Sequence, residues 1–185
     1  YAKKLKIEEE NATLTRLLND AADERLGIDQ SEEFPQIPPA SEVFERYDFG
    51  LPVTKLPIAQ KRIEILRALE ENRIVIIRAA TGSGKSSQVP QYILEEAYRL
   101  KRNVNIVITQ PRRISAQTLA DRVSNERRCE VGSLVGYQIG QDKKLENNHT
   151  RILFCTTGVF LQKLVNERSL KKWTHVIIDE IHERD

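Results

Sequence analysis

The stretch Arg73 to Ser86 reads Arg-Ile-Val-Ile-Ile-Arg-Ala-Ala-Thr-Gly-Ser-Gly-Lys-Ser, and its two halves together decide the fold. The first half holds Ile74-Val75-Ile76-Ile77 between arginines, the composition of a strand covered on both faces. The second half, Ala79 to Ser86, sets glycines at 82 and 84 just before a lysine and a serine. Gly82 and Gly84 admit backbone torsions that other residues resist, so successive N–H groups can turn inward around a phosphate. A helix starting behind them adds its positive end. Lys85 can then reach terminal phosphates, and Ser86 offers a hydroxyl to Mg2+. A flexible glycine turn with no function explains neither the lysine nor the serine at this spacing. The candidate cradle is Ala79, Thr81, Gly82, Ser83, Gly84, Lys85, Ser86 and Ser87, with Ala79 where such loops usually carry their first glycine.

Downstream, strand-like and helix-like segments alternate. Val104–Thr109, Val135–Ile139, Arg151–Cys155 and Val176–Asp179 read as strands; Arg112–Arg127 and Thr157–Asn166 read as helices. Such alternation calls for an α/β fold, a mostly parallel sheet with helices on both faces. The last strand runs into Asp179-Glu180-Ile181-His182, and the carboxyl ends of strands are where open α/β sheets bind ligands. Asp179 is expected to hold Mg2+ through water, and Glu180 to orient and deprotonate an attacking water. Ser86, Asp179 and Glu180 are thus the oxygen donors expected at the metal, and Lys85, Asp179 and Glu180 the catalytic set. An Asp capping a strand end would explain the acidic pair alone. Roughly ninety residues beyond a phosphate loop, the pair points to NTP chemistry.

Upstream, Ile58–Glu70 reads as a helix, with Ile63, Leu66 and Leu69 at three-residue steps. Before it, Pro35, Pro38 and Pro39 mark an extended connector. Residues 3–26 carry Leu5, Ile7, Leu14, Leu17, Leu18 and Leu26 among charges, an amphipathic pattern best read as a surface helix packed on its own domain. The expected division is a helical extension over 1–30, a lead-in over 31–55 and an α/β domain over 56–185. The net charge of +2 does not by itself argue for nucleic acid. No apolar run reaches the roughly eighteen residues of a membrane span. Cys129 and Cys155 lack metal-ligand spacing and read as thiols of a reducing compartment.

These residues resemble a family. Asp179-Glu180-Ile181-His182-Glu183-Arg184 is similar to the acidic signature of DEAH-box helicases in superfamily two. The likeness covers 56–185. Leu56-Pro57-Ile58 with Arg62 resembles the family's lead-in, and Gln88-Val89-Pro90-Gln91 the continuation of its phosphate loop. Thr109-Gln110-Pro111-Arg112-Arg113 resembles motif Ia, Val135-Gly136-Tyr137-Gln138 the strand beyond that helix, and Thr156-Thr157-Gly158 motif Ib. The resemblance implies a RecA-like domain that uses ATP, other NTPs being admissible, with Mg2+. It implies phosphate-backbone contacts to single-stranded RNA from Arg112, Arg113 and Thr156, which suit phosphate oxygens and do not read sequence. Without it, Arg112 and Arg113 read as a solvated helix start. It further implies that Arg122 stacks on the nucleotide base and that His182 couples nucleotide state to a second RecA-like domain. His149 and His175 read as structural or surface residues, and Trp173 and Tyr137 as packing residues.

Within that family, Ser124-Asn125-Glu126-Arg127, the run through Gly140, and Thr156 to Leu164 resemble the Tudor-domain-containing germline helicases of spindle-E type. Gly140 and Gln141 stand where other DEAH helicases carry an arginine and an acidic residue. This likeness implies work in the piRNA pathway with its partner proteins, in cytoplasmic granules beside germ-cell nuclei. The family's Ser-Ala-Thr motif, second RecA-like domain and arginine fingers are not in the sequence, so a piece of a longer protein is expected, one that by itself binds nucleotide poorly and unwinds nothing. In related folds the Ser-Ala-Thr strand lies between the phosphate-loop strand and the acidic-box strand, so two unpaired edges are expected here. Three functions compete: an NTP-driven RNA remodelling enzyme, an RNA clamp without turnover, and another P-loop class such as a DNA helicase or transporter ATPase. Intact Lys85, Asp179 and Glu180 favour the first over the second. RNA rather than DNA rests on the resemblance alone, since nothing here visibly reads a 2′-hydroxyl.

Overall fold

Apolar runs become strands where a neighbouring backbone answers their hydrogen bonds. In this chain that happens around residues 106–110 and 152–156. The structure is a computed structural model, and it describes residues 55–146, 149–167, 170–181 and 183. The predicted N-terminal helix, the proline connector and His182 lie outside those residues. Five strands form one sheet in the order β3-β2-β4-β1-β5: β1 (Ile106–Gln110), β2 (Val135–Ile139), β3 (Asp142–Lys144), β4 (Ile152–Thr156) and β5 (His175–Ile178). β4 pairs parallel with β1 and β2, and β1 pairs parallel with β5. Only β3 runs antiparallel, folding back on β2 through the two residues Gly140 and Gln141. The mostly parallel sheet is thus as the sequence predicts; the short, fully exposed β3 has no apolar pattern to announce it.

Side chains of the central strands alternate between two cores. Ile106 and Ile108 of β1, with Ile152 and Phe154 of β4, face a large cluster shared with Ile65, Tyr92, Leu94, Ala120 and Val123. Val107, Leu153 and Cys155 face the opposite side and meet Val159, Phe160 and Trp173. The first cluster is covered by α1 (Arg62–Glu71), α2 (Lys85–Arg99) and α3 (Arg113–Glu126); the second by α4 (Thr157–Glu167). Each fully buried Ile or Phe contributes about 1.5–3 kcal/mol of transfer free energy, so β1 and β4 hold the sheet together. Trp173 and Tyr137 are buried, as packing residues should be. The start of α1 differs from expectation: Pro57–Lys61 is a 3-10 turn, and the α-helix begins at Arg62. Pro57 at the first turn position suits this, since its missing N–H would be unpaired there.

Glycine at 136 is required by a close approach. A Cβ there would sit 2.4 Å from the Lys144 carbonyl oxygen, so β3 can lie against β2 only because position 136 has no side chain.

One expected strand does not form. Ile74–Arg78 enters no ladder among the described residues, and Ile76 is 42% exposed. β5 pairs with β1 on one side and ends the sheet on the other, with Ile178 59% exposed. The run has strand composition, but no described backbone lies in register with it. Of the two unpaired edges expected from the sequence, the one at the acidic-box strand is seen at β5, while the phosphate-loop run forms no strand that could present the other. None of the described helices is long and apolar enough to cross a membrane.

Candidate functional site

The loop expected to bind phosphate stands directly before α2. Gly82 and Gly84 take φ of +76° and +96°, the left-handed region that glycine enters at little cost. Gly84 caps α2, and Lys85 and Ser86 open it, so the positive end of the helix is aimed at the loop. Lys85 Nζ donates to the Ala79 and Ala80 carbonyls at 2.9 and 3.3 Å, which sets its ammonium over the loop. Ser83 is buried, and its hydroxyl has no hydrogen-bond partner among the described residues.

The loop is braced from behind by the 3-10 turn. Ile58 N–H donates to the Ser83 carbonyl at 3.3 Å. Ile58 is fully buried, and a Cβ on Gly84 would come within 2.8 Å of Leu56 Cδ1 and 3.3 Å of Ile58 Cγ2. Leu56 and Ile58, quoted in the sequence only as a lead-in, therefore form the wall against which the loop's second glycine packs.

Asp179 comes directly after β5, and its N–H donates to the Thr109 carbonyl of β1 at 3.3 Å. The Asp179 carboxylate accepts on both oxygens: Oδ2 from Gln110 Nε2 at 2.6 Å, Oδ1 from the Glu180 N–H at 3.0 Å. Glu180 itself has φ of +51°, a region that non-glycine residues enter at a cost of about 1–3 kcal/mol and that concentrates at functional positions. Among the described residues no cluster of three or more acidic, histidine or cysteine side chains could cage a metal. Mg2+ does not ask for one: it takes one or two carboxylates plus hydroxyl, water and phosphate oxygens. The Ser86 hydroxyl and the Asp179 carboxylate, which keeps lone pairs after two hydrogen bonds, are donors of that kind.

The candidate polynucleotide residues fall on the loop after β1 and at the end of β4. Arg113 begins α3, Arg112 precedes it, and Thr156 closes β4 opposite Gln110. Arg112 Nη2 donates to Glu183 Oε1 at 3.0 Å, tying the loop to the segment after the acidic pair. Arg113 and Ile114 are exposed.

Arg122 is half-exposed on α3, and its Nε donates to Glu126 Oε1 at 3.0 Å. The other oxygen of Glu126 accepts from Gln88 Nε2 at 2.8 Å and Gln91 Nε2 at 2.6 Å, both on α2. Arg127 continues the seam to Gln91 and Glu95, and Arg62 reaches Glu95 at 2.6 Å. The Arg62 guanidinium also lies 5.2 Å from the Tyr92 ring centroid, and burial raises the Tyr92 phenol above its usual pKa. The glutamines at 88 and 91 and Glu126 were legible only as family likeness; their work is to lock α2 to α3. Gln110 likewise has no role legible in the sequence, and only the fold shows that its amide meets Asp179. A buried polar side chain on a central strand needs a partner, but a sequence does not say which.

Comparison with known proteins agrees with this geometry. Residues 57–185 match the family described as DEAD/DEAH box helicase. A protein named probable ATP-dependent RNA helicase spindle-E from Aedes aegypti is 47% identical over 161 residues, covering 85% of this chain. Its namesakes from Culex quinquefasciatus and Drosophila pseudoobscura pseudoobscura are 44% and 46% identical, covering 92% and 90% of the chain. In each case the aligned part is 12% of the relative's own length.

Proposed function

The chain belongs to the DEAD/DEAH box helicase family, and we propose that it is the nucleotide-binding first half of an ATP-dependent RNA helicase or RNP-remodelling motor. The observation that carries this reading is the loop itself, with Gly82 and Gly84 in the left-handed region, α2 behind them and Lys85 over the mouth. In this reading Ala79 to Ser87 wrap the phosphates, and Lys85 turns from the loop carbonyls to the terminal phosphates. Ser86, and Asp179 through water, would hold Mg2+, which supplies charge neutralisation at the transferring phosphoryl group. Glu180 orients the attacking water and accepts its proton. Arg122, its guanidinium held by Glu126, offers a flat cation for stacking on the base.

Arg112, Arg113 and Thr156 would then contact the phosphates of a single strand, adding affinity without reading sequence. The resemblance supports the finer assignments: the DEAH-type acidic box, the Tudor-containing germline branch, a second RecA-like domain of the same protein as partner, and His182 as its coupling residue. It also supports piRNA silencing in perinuclear granules as the setting.

The test is NTP hydrolysis by the full-length protein with and without single-stranded RNA or DNA, beside Glu180→Gln. RNA-stimulated turnover that falls at least about a hundredfold in the variant is expected. Nucleotide binding without turnover would replace the motor by an RNA clamp, and equal stimulation by DNA would remove the case for RNA.

A further inference from the structure

The carboxyl ends of β1 and β5 lie side by side, because the two strands pair in parallel from Ile106↔His175 to Thr109↔Ile178. The residues at these two strand ends are therefore juxtaposed: Gln110, Pro111 and Arg112 beside Asp179, Glu180 and Glu183. Two side-chain bonds cross the gap. The inner one, Gln110 Nε2 to Asp179 Oδ2, is 2.6 Å long, and Gln110 is 2% exposed. The outer one joins Arg112 to Glu183 at 3.0 Å, with the Arg112 side chain largely in solvent.

We propose that Gln110 is a positioning residue that holds the Asp179 carboxylate, and that the Gln110–Asp179 and Arg112–Glu183 pairs carry polynucleotide occupancy to the NTP site. This rests on the function proposed above. A carboxylate on a strand end can rotate about two side-chain torsions. Here one oxygen is fixed by the buried Gln110 amide and the other by the Glu180 N–H, so its remaining lone pairs have a set direction. The second bond also ties the carboxylate's orientation to the backbone of Glu180, whose φ of +51° is not a relaxed one. A shift of Gln110 would thus move both acidic residues.

The outer pair supplies the input. A guanidinium bonded to one carboxylate is open to exchange with a phosphate, a bidentate partner of equal charge type. A strand of nucleic acid taking Arg112 would draw the loop after β1 outward and leave Glu183 without that bond. Gln110 sits two residues earlier, at the last position of β1 where that loop begins, so the displacement is delivered at Asp179.

The experiment uses the full-length protein and three readings: affinity for a fluorescent ADP with and without Mg2+, affinity for a short polyuridine strand without nucleotide, and the RNA-stimulated increase in turnover. Gln110→Leu keeps the bulk and removes the donor. It is expected to cut the Mg2+-dependent gain in nucleotide affinity about tenfold, the scale of lost support behind a metal ligand. The stimulation ratio should fall with it, while polyuridine affinity stays at the wild-type value. Glu183→Gln, which frees Arg112, is expected to raise polyuridine affinity about threefold, the scale of one weak exposed ion pair. If Gln110→Leu loses its fold by circular dichroism, Gln110→Asn, one methylene shorter, carries the same readings. An unchanged Mg2+ gain and stimulation ratio in a folded Gln110 variant overturns the proposal. So does a Glu183→Gln protein that binds polyuridine no better than wild type. A wild-type protein that RNA does not stimulate sinks the proposed function instead, and a lost Mg2+ gain in Gln110→Leu would still uphold the positioning role.

Discussion

Ile74-Val75-Ile76-Ile77 and Ile106-Val107-Ile108 are nearly the same in composition, yet one lies outside every ladder and the other sits at the middle of the sheet. β1 is buried at every position and is paired on both sides, with β4 and β5. The 74–77 run is half-exposed and unpaired among the described residues. β-branched side chains favour an extended backbone in both places. What separates them is whether another backbone presents donors and acceptors in register, and whether helices cover both faces. Strand propensity is a local property; being a strand is a relation between segments.

That contrast can be broken most directly by truncating one isoleucine in each run. Ile108→Ala, at a fully buried site, should cost about 2–5 kcal/mol in a denaturant titration, because it removes packed atoms and leaves a cavity. Ile76→Ala, 42% exposed, should cost less than about 1 kcal/mol. Equal losses would mean that the 74–77 run is packed in solution as tightly as β1.

A smaller effect sharpens the comparison at its glycines. Gly136→Ala would drive a Cβ to 2.4 Å from the Lys144 carbonyl oxygen, and backbone must move to admit it, at about 1–3 kcal/mol. Gly82→Ala meets no atom within 4 Å, so only its φ of +76° opposes the change, at about 1 kcal/mol. Unfolding midpoints of the two variants give the ranking. Should Gly82→Ala prove the costlier, the loop would have to be tighter than this structure has it.

The mildest reading compares two thiols. Burial pushes Cys155 of β4 up from 9.0 to about 12, whereas Cys129, after α3, is only half-buried. At pH 8 about one Cys155 in ten thousand is thiolate, so a disulfide reagent should modify Cys129 and leave Cys155 until the protein unfolds. The core holds the neutral thiol, so this group's contribution to stability is full below pH 9 and is lost as pH rises from 9 towards about 12. Rapid modification of both thiols in native protein would show that β4 opens far more readily than its burial implies.

Much of the candidate site was legible because the chemistry proposed for it dictates residue type and order. A loop that wraps phosphate needs glycines, a lysine and a hydroxyl in sequence, and those sit at 82 to 86. An acidic pair after a buried strand is local as well. The parallel sheet could be inferred from alternation, since strands separated by helices have little other way to pair. Less legible was the start of α1, where Pro57 sets a 3-10 turn that periodicity does not distinguish from helix. β3 was missed because Asp142-Lys143-Lys144 has no apolar face; it exists only because β2 offers an edge and Gly136 lets it approach.

By itself, then, the sequence determined the candidate phosphate loop, the acidic pair, the class of sheet and the family, because each is written in neighbouring residues or in their order. Tertiary structure alone decided which polar side chains meet. Gln110 reaches Asp179 across 69 positions, Arg112 reaches Glu183 across 71, and Glu126 gathers Gln88, Gln91 and Arg122 from two helices. It also decided that 106–110 is a strand and 74–78 is not. Hydrogen bonds between distant segments are satisfied only once the chain has brought those segments together, and no local pattern names the partner in advance.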